Sequence, residues 1–191
     1  MFTEYTSFKV DIKNLKFTNH DGVKFPKTAI VTFDLPGKSQ PMVELFGYVD
    51  ESTVYEWIDQ GKPIVLDQCY IPKFSLKEYR SLRKLSQKDA VALSGFSARN
   101  ALFDSQLTID FSNSVIGIGG FFMEHAHVTL GELSFDSVKF ECSQVNFNYV
   151  HFANDRFDFK NVKITDANVS FKNAIFGSGT KDFQYSEFGG S

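Results

Sequence analysis

From Ile109 onward the apolar positions of this chain fall on a fixed grid of twelve residues. The first position of the grid reads Ile109, Phe121, Leu133, Val145, Phe157, Val169 and Lys181, and the third reads Phe111, Met123, Phe135, Phe147, Phe159, Phe171 and Phe183. The sixth reads Ser114, Ala126, Val138, Val150, Val162, Ala174 and Ser186, and the eighth reads Ile116, Val128, Phe140, Phe152, Ile164, Phe176 and Phe188. Six full units occupy residues 109–180 without a gap, and a seventh is incomplete. Positions one and three, and again six and eight, are two residues apart, which places each pair on one face of a short strand. A helix would instead need apolar residues three and four apart along one stripe. The polar residues in between, such as Ser134, Asn146, Asp158 and Ser170, point outward. Connectors of two residues (Asn148-Tyr149, Lys160-Asn161) alternate with connectors of four (Ala153 to Arg156, Gly177 to Thr180). They carry the Gly, Asn and Asp that turns use for positive φ.

Units that superpose by simple translation bury their apolar faces on their neighbours, so the grid predicts a β-solenoid rather than an antiparallel meander. The expected inward ladder comprises Phe111, Phe135, Phe147, Phe159 and Phe171 with Phe140, Phe152 and Phe176. Two cross-sections satisfy the spacing: one unit closes a flattened coil of about 12 residues, or two units close a four-sided coil of about 24. Four inward side chains, two of them often Phe, crowd the smaller coil, and packing near crystal density favours the larger.

Residues 1–95 show no such grid. Phe8 to Ile12, Ala29 to Phe33 and Val43 to Val49 alternate as strands, with Leu35-Pro36-Gly37-Lys38 as a turn. A short helix is predicted from Asp50-Glu51-Ser52 through Trp57-Ile58, stopped at Gln60-Gly61-Lys62-Pro63. Pro63 to Asp67 reads as a strand. Ser75 to Leu85, with Leu76, Tyr79, Leu82 and Leu85 on one stripe, reads as a helix capped by Ser75 and Glu78. A solenoid's first coil has open strand edges, and this region is the candidate to cover them. At the other end the pattern breaks off mid-unit at Phe188-Gly189-Gly190-Ser191, which reads as a fragment of a longer repeat protein or as a last coil that meets a partner or a second copy.

The step Phe-x-x-Val/Ala-x-Phe, as in Phe147-Asn148-Tyr149-Val150-His151-Phe152 and Phe171-Lys172-Asn173-Ala174-Ile175-Phe176, resembles the pentapeptide-repeat family. The resemblance covers residues 101–188, with Ala101-Leu102-Phe103 as a degenerate first step, and departs from the family pattern in alternating five- and seven-residue steps. It implies a right-handed, four-sided β-helix. The expected fold is therefore mainly β, a small α+β N-terminal domain over residues 1–95 followed by a right-handed β-solenoid over 96–191, regular from 109. Some members of the family mimic DNA and bind topoisomerase, which needs a strongly acidic rod. Here Lys139, Lys160, Lys163 and Lys172 are mixed with Asp136, Glu141 and Asp158, so that function does not carry over.

Composition changes this picture only at the margins. Of the 22 Phe residues, 13 lie between 109 and 188, which identifies Phe as the core-forming residue of the repeat. A net charge of −3 builds in no general attraction to nucleic acid or to an anionic membrane. No apolar run of about 18 residues is present to span a bilayer, and Met1-Phe2-Thr3-Glu4-Tyr5 lacks a secretory layout. Cys69 and Cys142, far apart and without metal-ligand spacing, read as free thiols of a cytoplasmic protein.

Candidate chemistry is sparse. Glu124-His125-Ala126-His127 suggests a ligand cluster, but His125 and His127 flank an inward alanine and face out, and no set of three or four ligands converges. His127 and His151 share one outward column with Lys139 between them in sequence. Gly117-Ile118-Gly119-Gly120 lacks the Lys-Ser/Thr of a phosphate loop and reads as a corner. Asp155 and Asp166 lack the periodicity of a calcium-binding roll, and the mixed outward columns lack the threonine array of an ice-binding face. No catalytic, metal or cofactor constellation is expected. Phe122, His127, Tyr149, His151 and Tyr185 remain as possible surface contacts. The expected function is a non-enzymatic scaffold or protein-interaction module that binds a protein partner or self-associates through the last coil. The alternative is an N-terminal sensory or targeting part of a larger protein whose enzyme lies beyond residue 191.

Overall fold

The structure, a computed structural model, describes residues 5–104, 108–129, 131–153 and 155–189. Its N-terminal part contains β1 (Ser7–Lys13), a small hairpin of β2 (Phe17–Thr18) and β3 (Lys24–Phe25), β4 (Lys27–Asp34) and β5 (Met42–Tyr48). β1, β4 and β5 form an antiparallel sheet in that order, with Val10 opposite Val31 and Ala29 opposite Phe46. Alternation gives this sheet one apolar face, and Ala29, Val31, Phe33 and Phe46 on it are buried. Helix α1 (Glu51–Asp59) starts after Asp50 in extended conformation and ends at Gln60 and the positive-φ Gly61. Helix α2 (Leu76–Leu82) is capped by Ser75, whose Oγ accepts the Glu78 N–H at 3.1 Å.

The remainder is a solenoid of four parallel sheets, each of five short strands. The first face stacks Ile64–Val65, Phe96–Ser97, Phe121–Phe122, Gln144–Asn146 and Asn168–Ser170; the second stacks Tyr70–Ile71, Leu102–Phe103, His127–Val128, His151–Phe152 and Ile175–Phe176. The third runs from Phe74–Ser75 through Ile109–Asp110 to Thr180–Asp182, and the fourth from Val91–Leu93 through Ser114–Ile116 to Glu187–Phe188. Strands pair with partners twenty-four positions on, as Phe121 with Val145 and Phe157 with Lys181, so the coil is the four-sided one.

The stack begins at Ile64, inside the segment whose sequence carries no twelve-residue grid. The first coil departs from the grid in two places: only ten residues separate Ile64 from Phe74, where the regular coils use twelve, and the corner between its third and fourth faces holds an insertion, α2 and the loop to Val91. Arg80 of α2 anchors that insertion. Its guanidinium is buried and donates to the Ser112 carbonyl at 2.8 Å and to Ser112 Oγ at 3.0 Å, while Asp110 accepts the Lys77 N–H at 2.7 Å. The predicted extension of this helix to Leu85 does not form. Lys84 takes φ +56° instead, and Leu82 and Leu85 are exposed.

Inside the rod several aromatic rings of successive coils stack at the strand spacing. Phe111 and Phe135 lie 5.0 Å apart with ring planes at 3°, and Phe147 and Phe171 lie 4.7 Å apart at 9°. Offset stacking at this separation is favourable for aromatic pairs, and parallel pairing already sets the coil rise near 4.8 Å. The expected inward residues Phe111, Phe135, Phe140, Phe147, Phe152 and Phe159 are fully buried. Phe171 is only half-buried and Phe176 is exposed, as are Phe183 and Phe188, because no described residue stacks on the outer side of their coil. At the opposite end α1 continues the core, its Val54, Tyr55 and Ile58 packing into one cluster with Ile64, Leu66 and Phe74.

The corners explain the polar columns. In the second position of the grid, Asp110, Ser134, Asn146, Asp158 and Asp182 each accept the backbone N–H two residues on, at 2.9 to 3.3 Å. These local turns lead into the fifth position, where Asn113, His125, Ser137, Tyr149, Asn161, Asn173 and Tyr185 all adopt positive φ. At the corner of Gly117-Ile118-Gly119-Gly120 successive coils touch backbone to backbone, and a Cβ on Gly119 would sit 2.6 Å from the Ser94 carbonyl oxygen.

Phe147→Ala is expected to cost about 3–5 kcal/mol by opening a cavity in the stack. The same change at the exposed Phe176 should cost less than about 1.5 kcal/mol. Urea denaturation of both variants checks this, and equal losses would contradict the assignment of a closed core that opens only at the last coil.

Candidate interaction surface of the solenoid

The outward column of the second face is unusual for a wetted surface: Tyr70, Leu102, His127, His151 and Ile175 follow one another up the stack. The three-stranded sheet lies against its lower part. Phe33, Phe46, Ala29 and Val31 form one buried cluster with Tyr70 and Leu102, flanked by Tyr5, Phe8 and Tyr48. A backbone bond from the Gly47 N–H to the Gln68 carbonyl at 2.8 Å ties β5 to the first coil.

His127 lies at the upper margin of this contact, and there the sequence reading needs correction. Its column does face outward, but the ring is 2% exposed because Tyr5 and the sheet behind it cover it. The Tyr5 hydroxyl and His127 Nε2 are 2.8 Å apart, in hydrogen-bond contact. Desolvation, reinforced by the charge of His151, pushes the His127 pKa down to about 3. Burial, reinforced by Asp104, raises that of Tyr5 to about 12. Asp104 in turn accepts the Tyr70 hydroxyl at 2.7 Å. The seam is therefore built for a neutral imidazole.

The four-sided coil also changes which residues are neighbours. His127 and His151 occupy consecutive rungs, their rings 4.7 Å apart, and Lys139 sits on the fourth face. At the corner between the first and second faces, the exposed His125 and Tyr149 rings stack at 4.7 Å and 5°. Phe122, on the adjoining first face, is half-buried under Arg99, whose guanidinium lies 4.4 Å from the ring centroid. Arg99 is held by Glu124 at 3.2 Å and Asp67 at 3.3 Å. So Phe122, Tyr149 and His151 are brought to one edge of the rod, with Ile175 above them exposed at 60%. Tyr185, also exposed, stands at the opposite corner, one and a half coils on from Tyr149.

Sequence reasoning missed Tyr5, because its role depends on a contact 122 positions away. It also passed over Arg80, although a lone arginine one turn after Leu76 on an apolar helix stripe is a readable signal. Cys69 and Cys142 are buried and unbridged, and burial raises the pKa of both thiols. Among the described residues no three metal-ligating side chains converge, and no helix is long and apolar enough to cross a membrane. Compared with known proteins, the chain matches no family model, no curated sequence and no solved structure.

The seam predicts a pH dependence. The folded-state pKa of His127 lies below the unfolded value of about 6.5, so its contribution to stability is complete above that pH. It is lost as pH falls toward 3, at about 1.4 kcal/mol per unit. Thermal melts between pH 8 and pH 4 are expected to show this loss, and His127→Gln should flatten the profile in that window. An unchanged profile in the variant would mean that other groups carry the acid sensitivity.

Proposed function

We propose that the chain is a non-enzymatic interaction module, a variant of the pentapeptide-repeat type, whose rod presents a rigid edge to a protein partner. The observation that carries this reading is the continuity of the second-face column. Its lower rungs are buried under a sheet of the same chain, while the same strip continues through the half-buried His151 to the exposed Ile175. A surface that already receives one packed β-sheet is suited to receive another apolar protein element beside it. The aromatic pair at the neighbouring corner adds the kind of side chains that anchor interfaces, and a solenoid core of stacked rings loses little entropy on binding because it is already rigid. Buried free thiols fit a reducing compartment, which favours the cytoplasm as its setting.

A second route, self-association, is favoured by the exposed Phe176, Phe183 and Phe188 of the last coil, on which a further layer of strands and rings would stack. Light scattering across a concentration range separates the two. Growth of mass that Phe183→Ser/Phe188→Ser abolishes supports stacking, and a constant monomer mass removes it.

For the lateral edge, the informative variant is Tyr149→Asn/Ile175→Ser, in which Asn preserves the positive φ at position 149. The partner recovered by affinity capture with the native chain is expected to bind the purified variant at least tenfold more weakly, with an unchanged thermal melt. Equal binding by the two proteins would exclude this edge as the contact surface.

A further inference from the structure

Between the small hairpin and the end of α1 lies a groove of about 210 Å³. Pro26, Val49, Trp57 and Pro63 form its apolar walls, and its charged lining residues are Lys24 and Lys62 alone. Sequence and local structure explain why they meet. Lys62 follows α1 after Gln60 and Gly61, its N–H bonded to the Trp57 carbonyl at 2.9 Å, and Pro63 then leads into the first solenoid strand. Lys24 stands on β3, paired with Thr18 of β2, so the hairpin brings a second lysine to the groove that Trp57 and Lys62 line.

Among the described residues neither Lys24 nor Lys62 takes part in an ion pair. The carboxylates at the two ends of α1 are already engaged, Asp50 by Lys27 and Asp59 by Arg83. In the neighbouring cavity of about 340 Å³, by contrast, Lys73 is paired with both Glu51 and Glu78, so its charge is answered within the chain.

We infer that this groove is a binding site for a small organic carboxylate, with an apolar body against Trp57 and the two prolines and a carboxylate between Lys24 and Lys62. Each methylene of an apolar body taken out of water adds to the affinity, and a groove of about 210 Å³, below the size of drug-like pockets, accepts a chain of about eight carbons at most. The lysines then select the sign of the head group, and because they are exposed the selection weakens as salt rises.

Trp57 is the only tryptophan of the chain, so its emission reports occupancy of this groove directly. The experiment is a fluorescence titration of the full chain with octanoate and, separately, with octylammonium as the isosteric cation. Octanoate is expected to shift and quench the emission saturably, octylammonium to do neither. Lys24→Gln/Lys62→Gln should weaken octanoate at least fivefold with an unchanged melting curve, since both side chains are exposed. No saturable response to octanoate, an equal response to octylammonium, or undiminished binding by the double variant would each overturn the assignment.

Discussion

Parallel backbone pairing sets the rise of the rod at one strand spacing per coil, and every inward side chain has to fit that rise. Flat rings do so without loss. Phe111 and Phe135, Phe147 and Phe171, and Phe152 and Phe176 settle into offset stacks at 4.7 to 5.0 Å, close to the spacing that the hydrogen bonds impose on the backbone outside them, while Phe159 tilts against Phe135 at 5.5 Å. Aliphatic columns fill the remaining positions, so each coil is a layer of mixed ring and branched side chains with little void. The repetition of phenylalanine thus follows from one geometric constraint rather than from a preference for that residue.

The same constraint governs the corners. A four-sided coil must turn sharply four times within twenty-four residues, and the chain pays for half of those turns with a left-handed residue at the fifth position of each unit. The polar side chain three positions earlier holds the approach to the turn by accepting a backbone N–H. Asparagine occupies the left-handed position in several units, where its local hydrogen bonding suits that conformation. Tyr149 and His125 occupy it in others, and there the outward-splayed rings stack across coils. Surface chemistry at that edge is thereby tied to backbone geometry.

Much of this was legible before any coordinates. The inward columns, the strand character, the helix cap at Ser75 and the three long strands of the N-terminal sheet all follow from local periodicity and cap chemistry, which a single sequence displays. The size of the coil was legible only through a volume argument, and strand register is what shows it. What remained hidden is non-local. Nothing near Ile64, Tyr70 or Phe74 repeats at twelve residues, because the first half-coil is two residues short and the α2 insertion then lengthens the second half, so the start of the stack is visible only through pairing. The spacing puts His127 on its outward face, yet its burial depends on Tyr5 and the sheet, which reach it from the far end of the chain. The groove beside Trp57 was hidden for the same reason, since it joins a hairpin and a helix terminus that no motif links.

The α2 insertion has a wider implication. A helix and a loop leave the ladder between Ser75 and Val91, yet the strands on either side pair in the same register as in every uninterrupted coil, Phe74 with Ile109 and Val91 with Ser114. The corner between the third and fourth faces is therefore indifferent to the length of chain it carries, provided the extra segment brings its own anchor as Arg80 does. Such an architecture can carry appendages one corner at a time, each grafted without rewriting the rod.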